Sequence, residues 1–300
     1  MKARGPVNSW GDTFKTFGLI AAELVVLFLA ISFLVALVNR RVGPKRIQSW
    51  LGGSPVVGSL KGVALGALTP FCSCSTLPML AGMFKAGVPF ATAASFLVSS
   101  PMLNPIILTA VAVLFGLPIM LGYAAVAVLG SLAIAATWNA LGLSRYVKRV
   151  RVEGEKEEEP WKGVRAESPG AWRTAREDFR PLVIPLLAGV SVGAVIYGAV
   201  PESFLTSFAG PDNPAAIPVA ALIGIPLYIR TEAALPIGLA LSEAGMGIGA
   251  VFALIIGGAG ASIPEVSMLT AIFKPRLVAA FVASILVMAT AGGFIIPLFV

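Results

Sequence analysis

The sequence predicts an all-α, polytopic membrane protein built from two inverted-topology repeats, with broken or re-entrant helices at its centre. Hydrophobic residues make up 57% of the 300 residues and only 12% are charged, whereas a soluble domain usually has about 25% charged residues. Charge this sparse cannot cover a water-facing surface, so most of the surface must face lipid. Several apolar runs are long enough to cross a bilayer, and two proline-interrupted apolar stretches share local sequence.

Composition also excludes several function classes. The net charge of +7 is not a nucleic-acid footprint, because Lys and Arg on the loops of a membrane protein chiefly set its orientation. Histidine is absent, which removes the commonest metal ligand and proton shuttle, and no metal or cofactor is expected. The two cysteines, Cys72 and Cys74, are too few and too close for a disulfide framework. The first apolar run is too long for a signal peptide and no small-residue cleavage site follows it.

Four segments are predicted as full-length membrane spans. Each exceeds the roughly 20 apolar residues that cross the hydrocarbon core, and Glu23 in the first segment is their only charged residue. The four segments are residues 17–38, 119–143, 181–201 and 277–300.

Two other apolar stretches, residues 55–116 and 214–273, are predicted to be broken. Proline removes a helical hydrogen bond and clashes with the preceding turn. Broken backbone survives at membrane depth only where it is buried in protein or lines a wet cavity, so we expect half-helices or re-entrant hairpins at the centre. The interrupting residues are Pro70, Pro78, Pro89, Pro101 and Pro105, and then Pro218, Pro226, Pro236, Gly245, Gly247, Gly257, Gly258, Gly260 and Pro264.

A charged segment divides the chain into halves. Residues 144–180 hold ten Lys or Arg and eight Asp or Glu, a composition typical of a solvated, partly disordered linker. The predicted organisation is a first membrane repeat (1–143), a charged cytoplasmic linker (144–180) and a second membrane repeat (181–300).

The two broken stretches share local sequence at one offset of 158 residues. The matches pair Leu77-Pro78-Met79 with Leu235-Pro236-Ile237, Lys85-Ala86-Gly87 with Glu243-Ala244-Gly245, and residues 96–100 with 254–258. Four basic residues in 40–46 place the loop after the first span in the cytoplasm, whereas the acidic loop 202–213 is placed outside. Equivalent spans then cross in opposite directions, and inverted repeats with discontinuous helices are a transporter design.

The first break, residues 69–78, carries small polar and thiol side chains. Its amides and hydroxyls are free to bind a dehydrated solute, and a half-helix N-terminus adds partial positive charge. Thiols favour thiophilic species because sulfur is a soft ligand. The alternative is that both cysteines only pack as small buried residues. The predicted solute-binding residues here are Cys72, Ser73, Cys74, Ser75 and Thr76.

The second break, residues 224–236, places charge inside the membrane. Such charge costs about 2.5–3.5 kcal/mol on insertion scales and is usually functional. Arg230 and Glu232 either line the solute path or form a structural ion pair that pins the broken helix. Glu232 is the best candidate for proton coupling, because a desolvated carboxylate can titrate near neutral pH. The predicted solute-binding residues here are Tyr228, Arg230, Thr231 and Glu232.

The two breaks are predicted to face each other near the membrane midplane. Aligned on their first prolines, they place Arg230 opposite Cys74 and Glu232 opposite Thr76. Equivalent breaks in inverted repeats converge on the pseudo-two-fold axis, where such proteins bind solute.

Four polar residues lie at other breaks or at helix ends. Asn104, between two prolines, is predicted to coordinate solute or to cap a half-helix. Glu265 follows a proline of the second stretch and is a second candidate for proton coupling. Lys85 and Glu243 occupy equivalent positions and are expected to extend to the membrane surface.

Residues 70–78 (Pro-Phe-Cys-Ser-Cys-Ser-Thr-Leu-Pro) and 224–228 (Gly-Ile-Pro-Leu-Tyr) resemble paired signatures of a family of predicted bacterial permeases. The family includes the ArsP-type organoarsenical efflux permeases and the YraQ-like permeases. The resemblance covers both halves and implies a plasma-membrane permease, with Cys72 and Cys74 as candidate ligands for trivalent arsenic. Organoarsenical permeases tend to carry a further cysteine near Arg230. Here Arg-Thr-Glu replaces that soft ligand, which makes an anionic or differently coupled substrate the alternative.

The sequence therefore predicts a secondary transporter, not an enzyme, in the bacterial inner (plasma) membrane. Its solute is expected to be a thiophilic species such as a trivalent arsenical, or a small sulfur-containing or other anion. The expected partners are the lipid bilayer and this solute, without nucleic acid, and a homodimer is left open. Nothing resembles a Walker motif, so ATP is not the energy source within this chain. The alternatives are an intramembrane thiol or redox enzyme that uses Cys72 and Cys74, and a channel.

Overall fold

The structure, a computed structural model, describes residues 25–26, 29–38, 40–69, 73–148, 163–180, 183–184, 215–226, 231–243 and 245–299. Within these residues the fold is helical, and the extended pairing seen there is one antiparallel bridge between Val147 and Phe273. The predicted all-α class is confirmed. The predicted span 181–201 lies almost entirely outside the described residues, whereas residues 29–38 of the first predicted span are helical.

The helices are numbered here in chain order. The first half contains α1 (Pro44–Leu51), α2 (Pro55–Leu68), α3 (Ser73–Lys85), α4 (Phe90–Ser99), α5 (Pro105–Phe115) and α6 (Leu117–Ala140). The central segment contains α7 (Val164–Phe179). The second half contains α8 (Ala216–Gly224), α9 (Thr231–Glu243), α10 (Ile248–Gly260), α11 (Ile263–Ile272) and α12 (Pro275–Ile295). Short 3-10 turns, Leu143–Tyr146 and Ile296–Phe299, follow α6 and α12.

Helices of two kinds build the membrane domain. Within the described residues, three segments are each long and apolar enough to cross a membrane. They are Leu117–Ala140 (α6), Ile248–Ile272 (α10 and α11 together) and Pro275–Phe299 (α12 with its 3-10 turn). The first and last confirm the predicted spans at 119–143 and 277–300. The other helices are short: α2 has 14 residues, which is about 21 Å at 1.5 Å per residue and less than the roughly 30 Å hydrocarbon core. Helices α1 and α2 meet at a bend of 102°.

Prolines mark helix starts more often than they break helices. Pro55, Pro105 and Pro275 are the first residues of α2, α5 and α12, where the missing N–H has no helical partner to lose. The prediction that Pro78 and Pro236 interrupt the chain is wrong, because α3 and α9 continue through them. Membrane helices tolerate such prolines where neighbouring helices satisfy the freed backbone groups.

Helix starts recur at the offset found in the sequence. The first residues of α3, α4, α5 and α6 are each 158 positions before those of α9, α10, α11 and α12. The turn after α3 also recurs after α9, since Gly87 and Gly245 both have positive φ (73° and 99°). Val88 N–H donates to Met83 O (3.0 Å) and Met246 N–H donates to Leu241 O (2.9 Å), which is the same helix-ending bond at equivalent positions.

The equivalent long helices α6 and α12 pack together in opposite directions. The Trp138 indole N–H near the end of α6 donates to Ser284 Oγ (3.0 Å) in the first half of α12. Gly122 near the start of α6 instead lies against the Phe299 ring, which follows α12. Equivalent neighbours that run antiparallel are what an inverted repeat requires, so this packing supports the predicted inversion.

Small residues bring short helices into close contact. Gly58, Gly62 and Gly66 of α2 face Thr92, Ser95 and Ser99 of α4, and a Cβ at Gly62 would overlap both Ser95 Oγ and the Thr92 carbonyl. Spacing of small residues at every fourth position is typical of membrane helices that approach backbone to backbone. In the second half, α8 packs against α10 at the equivalent place, and a Cβ at Gly257 would overlap the Ala221 carbonyl.

The central segment is more ordered than its composition predicts. Instead of a uniformly solvated, partly disordered linker, residues 164–179 form α7, which buries Ala171 and Ala175 completely. Trp172 contacts the Phe33 ring edge-on at 6.3 Å. Alternation of small apolar residues with charged ones gives this helix a packing face that overall charge does not reveal. The acidic run at 153–159 lies outside the described residues.

Two contacts join the central segment to the two halves. Arg40, which follows the helical residues 29–38, pairs with Glu167 of α7 at 2.9 Å. Lys148, after α6, donates its backbone N–H to Ile272 O (2.8 Å) at the end of α11. Loop charge predicts that these segments lie on the cytoplasmic face.

Candidate functional site

Another pair of equivalent breaks, between α4 and α5 and between α10 and α11, is in contact in the structure; that residues 69–78 and 224–236 face each other stays a prediction. Met102, between α4 and α5, and Gly260, at the end of α10, are 158 positions apart and contact each other. A Cβ at Gly260 would come within 2.5 Å of Met102 Cε. Equivalent residues in contact are expected close to the axis that relates two repeats, so this contact agrees with the predicted inverted repeat.

Helices of opposite halves exchange contacts around this point. Helix α3 packs against α11, and the equivalent pair, α9 and α5, packs in the same way. The helix that begins within the Cys-Ser-Cys segment therefore lies beside the second half, and the helix that begins within the Arg-Thr-Glu segment lies beside the first. This reciprocal packing assembles the candidate site from both repeats.

Thr76 is the predicted solute-binding residue of the first break whose side chain the structure describes. It is fully buried, and its hydroxyl donates to Ser100 Oγ at 3.3 Å, which joins α3 to the break after α4. Ser73, Cys74 and Ser75 lie in the first turn of α3, but their side chains lie outside the description. Cys72 lies outside the described residues. The roles predicted for these four residues stay predictions.

Proline inside α3 and α9 leaves backbone acceptors at equivalent positions. Pro78 has no N–H, so the carbonyl of residue 74 lacks the donor that a regular helix supplies four residues later. Pro236 has the same effect on the carbonyl of residue 232. These carbonyls lie within continuous helices, unlike the unwound carbonyls that coordinate coupling ions in transporters built from broken helices, but each has a free acceptor position.

The helix starts correct the alignment of the two breaks. Because Ser73 and Thr231 begin equivalent helices, Glu232 is opposite Cys74 and Arg230 is opposite Cys72. The alignment on the first prolines, which differs by two residues, is therefore wrong: the segment before α9 is two residues longer than its counterpart. Thr231 and Glu232 occupy the first turn of α9, with side chains outside the description. Tyr228 and Arg230 lie outside the described residues.

Asn104 caps a helix. It is buried at 3% exposure, and its Oδ1 accepts a hydrogen bond from the Ile106 N–H (2.9 Å) at the start of α5. Of the two roles predicted for Asn104, capping is present in the structure. The equivalent residue, Ser262, precedes α11 without a side-chain cap, so the amide is a feature of one repeat.

Glu265 is the buried carboxylic acid of the described interior. It is the third residue of α11 and has 0% exposure. The partial positive charge of a helix start favours a carboxylate at this position. Its equivalent in the first half is Ile107, also buried, so the carboxyl group breaks the symmetry of the site. Helix α11 packs against α3, which places Glu265 on the half of the site that carries the thiols.

Several buried polar residues near the breaks are absent from the predicted site. Ser99 and Ser100 are fully buried, and Ser100 accepts the Thr76 hydrogen bond. The Ser-Ser-Pro sequence of residues 99–101 was a usable signal, because two hydroxyls before an internal proline are costly in lipid unless they find partners. Met102 and Gly260 could be identified only from the packing of the two halves.

Comparisons with known proteins agree with this architecture. The model of the ArsP_1 family, described as a predicted permease, matches residues 9–298. UPF0718 protein MJ0584 of Methanocaldococcus jannaschii is 24% identical over 288 residues, covering 77% of this chain and 79% of that protein. UPF0718 protein YcgR of Bacillus subtilis is 23% identical over 283 residues, covering 92% and 94% of the two chains. No solved structure matches.

The family match and the long apolar helices confirm a multi-pass protein of the bacterial membrane. They also support the general function of membrane transport. The family model covers almost the whole chain, including both breaks and all described helices. The chain therefore belongs to the ArsP_1 family of predicted permeases.

Proposed function

We propose that this membrane transporter is a secondary transporter that carries a small thiophilic solute or small anion through the centre of the repeat interface. The observation that carries the proposal is the contact of Met102 with Gly260, together with the reciprocal packing of α3 on α11 and of α9 on α5. Two broken elements that meet on a pseudo-two-fold axis match the general architecture of alternating-access carriers.

The first half supplies soft and hydroxylic ligands. Cys72 and Cys74 bind the thiophilic centre of the solute, because thiolates prefer soft species such as trivalent arsenic. Ser73, Ser75 and Thr76 contribute hydroxyls. The hydrogen bond from Thr76 to Ser100 supports this division, since it fixes the first turns of α3 against the polar break before Asn104. Asn104 orients this break as a helix cap and does not touch the solute.

The second half supplies charge. Arg230 neutralises an anionic solute, and Tyr228 and Thr231 line the same segment. Glu232 and Glu265 are the proton-coupling candidates, and the burial of Glu265 supports that role. Glu265 lies on α11, and the helices that pack against α11 carry three other titratable residues. These are Cys74 and Lys85 on α3 and Arg276 on α12. By the offset of the helix starts, Glu232 is equivalent in sequence to Cys74 and Arg230 to Cys72, which supports a site with different chemistry in each half.

Substrate class is tested by binding and by flux. A trivalent methylarsenical and thiosulfate are each added to the purified protein in thermal unfolding, where a ligand at 100 times its Kd stabilises by about 2.7 kcal/mol. We expect Cys72→Ser and Cys74→Ser to weaken arsenical binding at least tenfold and to leave thiosulfate binding within twofold. Thr137→Ser, on the exposed face of α6, is the control. Equal arsenical affinity in all variants would show that the thiols only pack.

Coupling is tested in sealed vesicles with an imposed pH gradient. We expect Glu265→Gln or Glu232→Gln to remove the pH dependence of flux while solute binding survives. The Arg230 and Glu232 pair is replaced by a neutral pair of similar volume as a further variant. Normal flux with the usual pH profile in that variant would assign the pair to scaffolding and leave Glu265 as the coupling residue.

The same experiment separates the transporter from the thiol enzyme. A transporter gives flux only in sealed vesicles, and flux saturates with solute, whereas an enzyme turns over in detergent. Membership of a permease family favours the transporter. Turnover in detergent that requires Cys72 and Cys74 would overturn the proposal.

A further inference from the structure

A cluster of four basic side chains lies where α6 ends and α12 begins. Arg145 and Lys148 follow α6, Lys274 and Arg276 flank the start of α12, and all four are exposed. We call this cluster the basic corner. Its two segments are held together through the backbone: Lys148 N–H donates to Ile272 O and Lys274 N–H donates to Tyr146 O, both at 2.8 Å.

Tyr146 organises the guanidinium groups of the corner. Arg276 donates to the Tyr146 hydroxyl at 3.1 Å, and the guanidiniums of Arg145 and Arg276 lie 5.2 and 5.7 Å from the centre of its ring. The hydrogen bond from Arg276, together with the charge of Arg145, lowers the pKa of Tyr146. Two guanidiniums held against one ring lose little further freedom on binding a phosphate, whose oxygens match their planar donors.

The two segments that form the corner contain basic residues and no acidic ones. Residues 143–148 and 270–280 contain no Asp or Glu. Within the described part of the chain, ion pairs join Arg40 to Glu167 and Arg173 to Glu177, and no carboxylate pairs with the basic corner. The corner therefore presents four positive charges to whatever lies at this membrane surface.

Below the corner, the two helices present an apolar surface that fits acyl chains. Leu129 of α6, Leu141 directly after it and Val287 of α12 are 65%, 59% and 70% exposed. Both helices are long enough to cross the membrane, so these side chains face lipid while the corner lies at the interface. A bound phosphate ion would use only the charges, whereas a phospholipid uses charges and apolar surface together.

We propose that the basic corner binds the headgroup of an anionic phospholipid whose acyl chains lie along α6 and α12. Basic pockets at the ends of membrane helices bind anionic headgroups, and each Lys or Arg near the surface contributes a roughly fivefold gain in affinity. Because the bound lipid bridges the end of α6 and the start of α12, it ties the two repeats together at one face.

The test uses the full-length protein in mild detergent with phosphatidylglycerol and phosphatidylcholine of identical acyl chains. Lipid binding is counted by native mass spectrometry, and unfolding temperature is measured on the same samples. We expect tighter binding and a higher unfolding temperature with phosphatidylglycerol. Replacing two corner charges, in Arg145→Gln with Lys274→Gln, should weaken binding of this lipid about 25-fold and leave phosphatidylcholine binding unchanged.

The control variant removes two exposed charges, one in α7 and one directly after it, in Arg165→Gln with Arg180→Gln. We expect it to keep the preference for phosphatidylglycerol. Three results would overturn the proposal: no preference for phosphatidylglycerol in the unaltered protein, equal losses in corner and control variants, or a Kd for inorganic phosphate as low as that for the lipid, which would show that the acyl chains contribute nothing. The first of these would indicate that the acidic run at 153–159 already neutralises the corner.

Discussion

Among single residues, Asn104 is a buried amide whose hydrogen bond with the Ile106 N–H caps the start of α5. Its position between two prolines predicted either a solute ligand or a helix cap, and the hydrogen bond from Ile106 N–H shows the cap. The sequence could not choose, because both roles use the same amide oxygen. Glu265 was found as a polar residue after a proline, but its complete burial and its asymmetry with Ile107 depend on packing.

The capping role of Asn104 makes a direct prediction. Asn104→Ala should lower the free energy of unfolding by about 1 kcal/mol, because the Ile106 N–H loses its acceptor. Asn104→Ser retains a capping oxygen, so its stability and solute affinity should stay close to those of the unaltered protein. Thermal unfolding and solute binding are measured on the same samples. A serine variant with normal stability but tenfold weaker binding would instead make the amide a solute ligand.

At the level of elements, the long helices were predictable and the short ones were only partly so. α6 and α12 follow from uninterrupted apolar runs of sufficient length. Proline was a poor guide inside the broken stretches, because a proline at a helix start and one inside a helix look alike in sequence. Pro55 begins α2, whereas Pro78 lies inside α3. Helix α7 was missed because its packing face consists of alanines within a highly charged segment.

Pro78 provides a test that separates stability from function. It is the sixth residue of α3, so Pro78→Ala restores a donor for the carbonyl of residue 74. Stability should rise, by up to about 3 kcal/mol, while solute affinity falls because the freed acceptor of the proposed site is lost. Thermal unfolding and solute binding are the measurements.

Pro169 is the matched control for this change, because it is the sixth residue of α7. Pro169→Ala should also stabilise the protein but should leave solute affinity unchanged. If Pro78→Ala stabilises the protein and binds solute normally, the carbonyl of residue 74 takes no part in the site.

The contact of α2 with α4 makes a prediction about packing. Gly62→Val places a branched side chain where a single Cβ already overlaps Ser95 Oγ and the Thr92 carbonyl. We expect the free energy of unfolding to fall by about 1–3 kcal/mol or more, the usual cost of overpacking, because the backbone carbonyl cannot move away from the added side chain. Leu60→Val, on the exposed side of the same helix, should change stability by less than about 0.5 kcal/mol. Similar losses in both variants, measured by thermal unfolding, would show that α2 does not pack tightly here.

For the whole molecule, the offset of 158 residues was the most informative sequence signal. It predicted the equivalence of four consecutive helices, and the structure places their starts at that offset. The separate alignment on Pro70 and Pro226 failed because the chain between Pro226 and the start of α9 is two residues longer than the chain between Pro70 and the start of α3. No local sequence match reveals that difference. The antiparallel contact of α6 with α12 supports the inversion that loop charge predicted. Which face is cytoplasmic still depends on the loop charges.

Sidedness is therefore the last prediction. With Cys72 and Cys74 replaced by serine, single changes Ser49→Cys, Ser168→Cys and Ser207→Cys are treated with a membrane-impermeant maleimide in intact cells and in inside-out vesicles. Ser49 and Ser168 should react only in inside-out vesicles. Ser49 lies on α1 just after the loop of Arg40, and Arg40 pairs with Glu167, the neighbour of Ser168.

The third position, Ser207, should react only in intact cells, because the loop 202–213 is acidic and joins the span 181–201 to the second broken stretch. Reaction of Ser49 and Ser168 in intact cells, with Ser207 reacting in vesicles, would reverse the orientation and keep the inverted repeat. Reaction of Ser168 and Ser207 from the same side is the decisive result. An even number of crossings would then separate α7 from residue 207, the two halves would have parallel orientation, and the antiparallel packing of α6 with α12 could not arise from an inverted repeat.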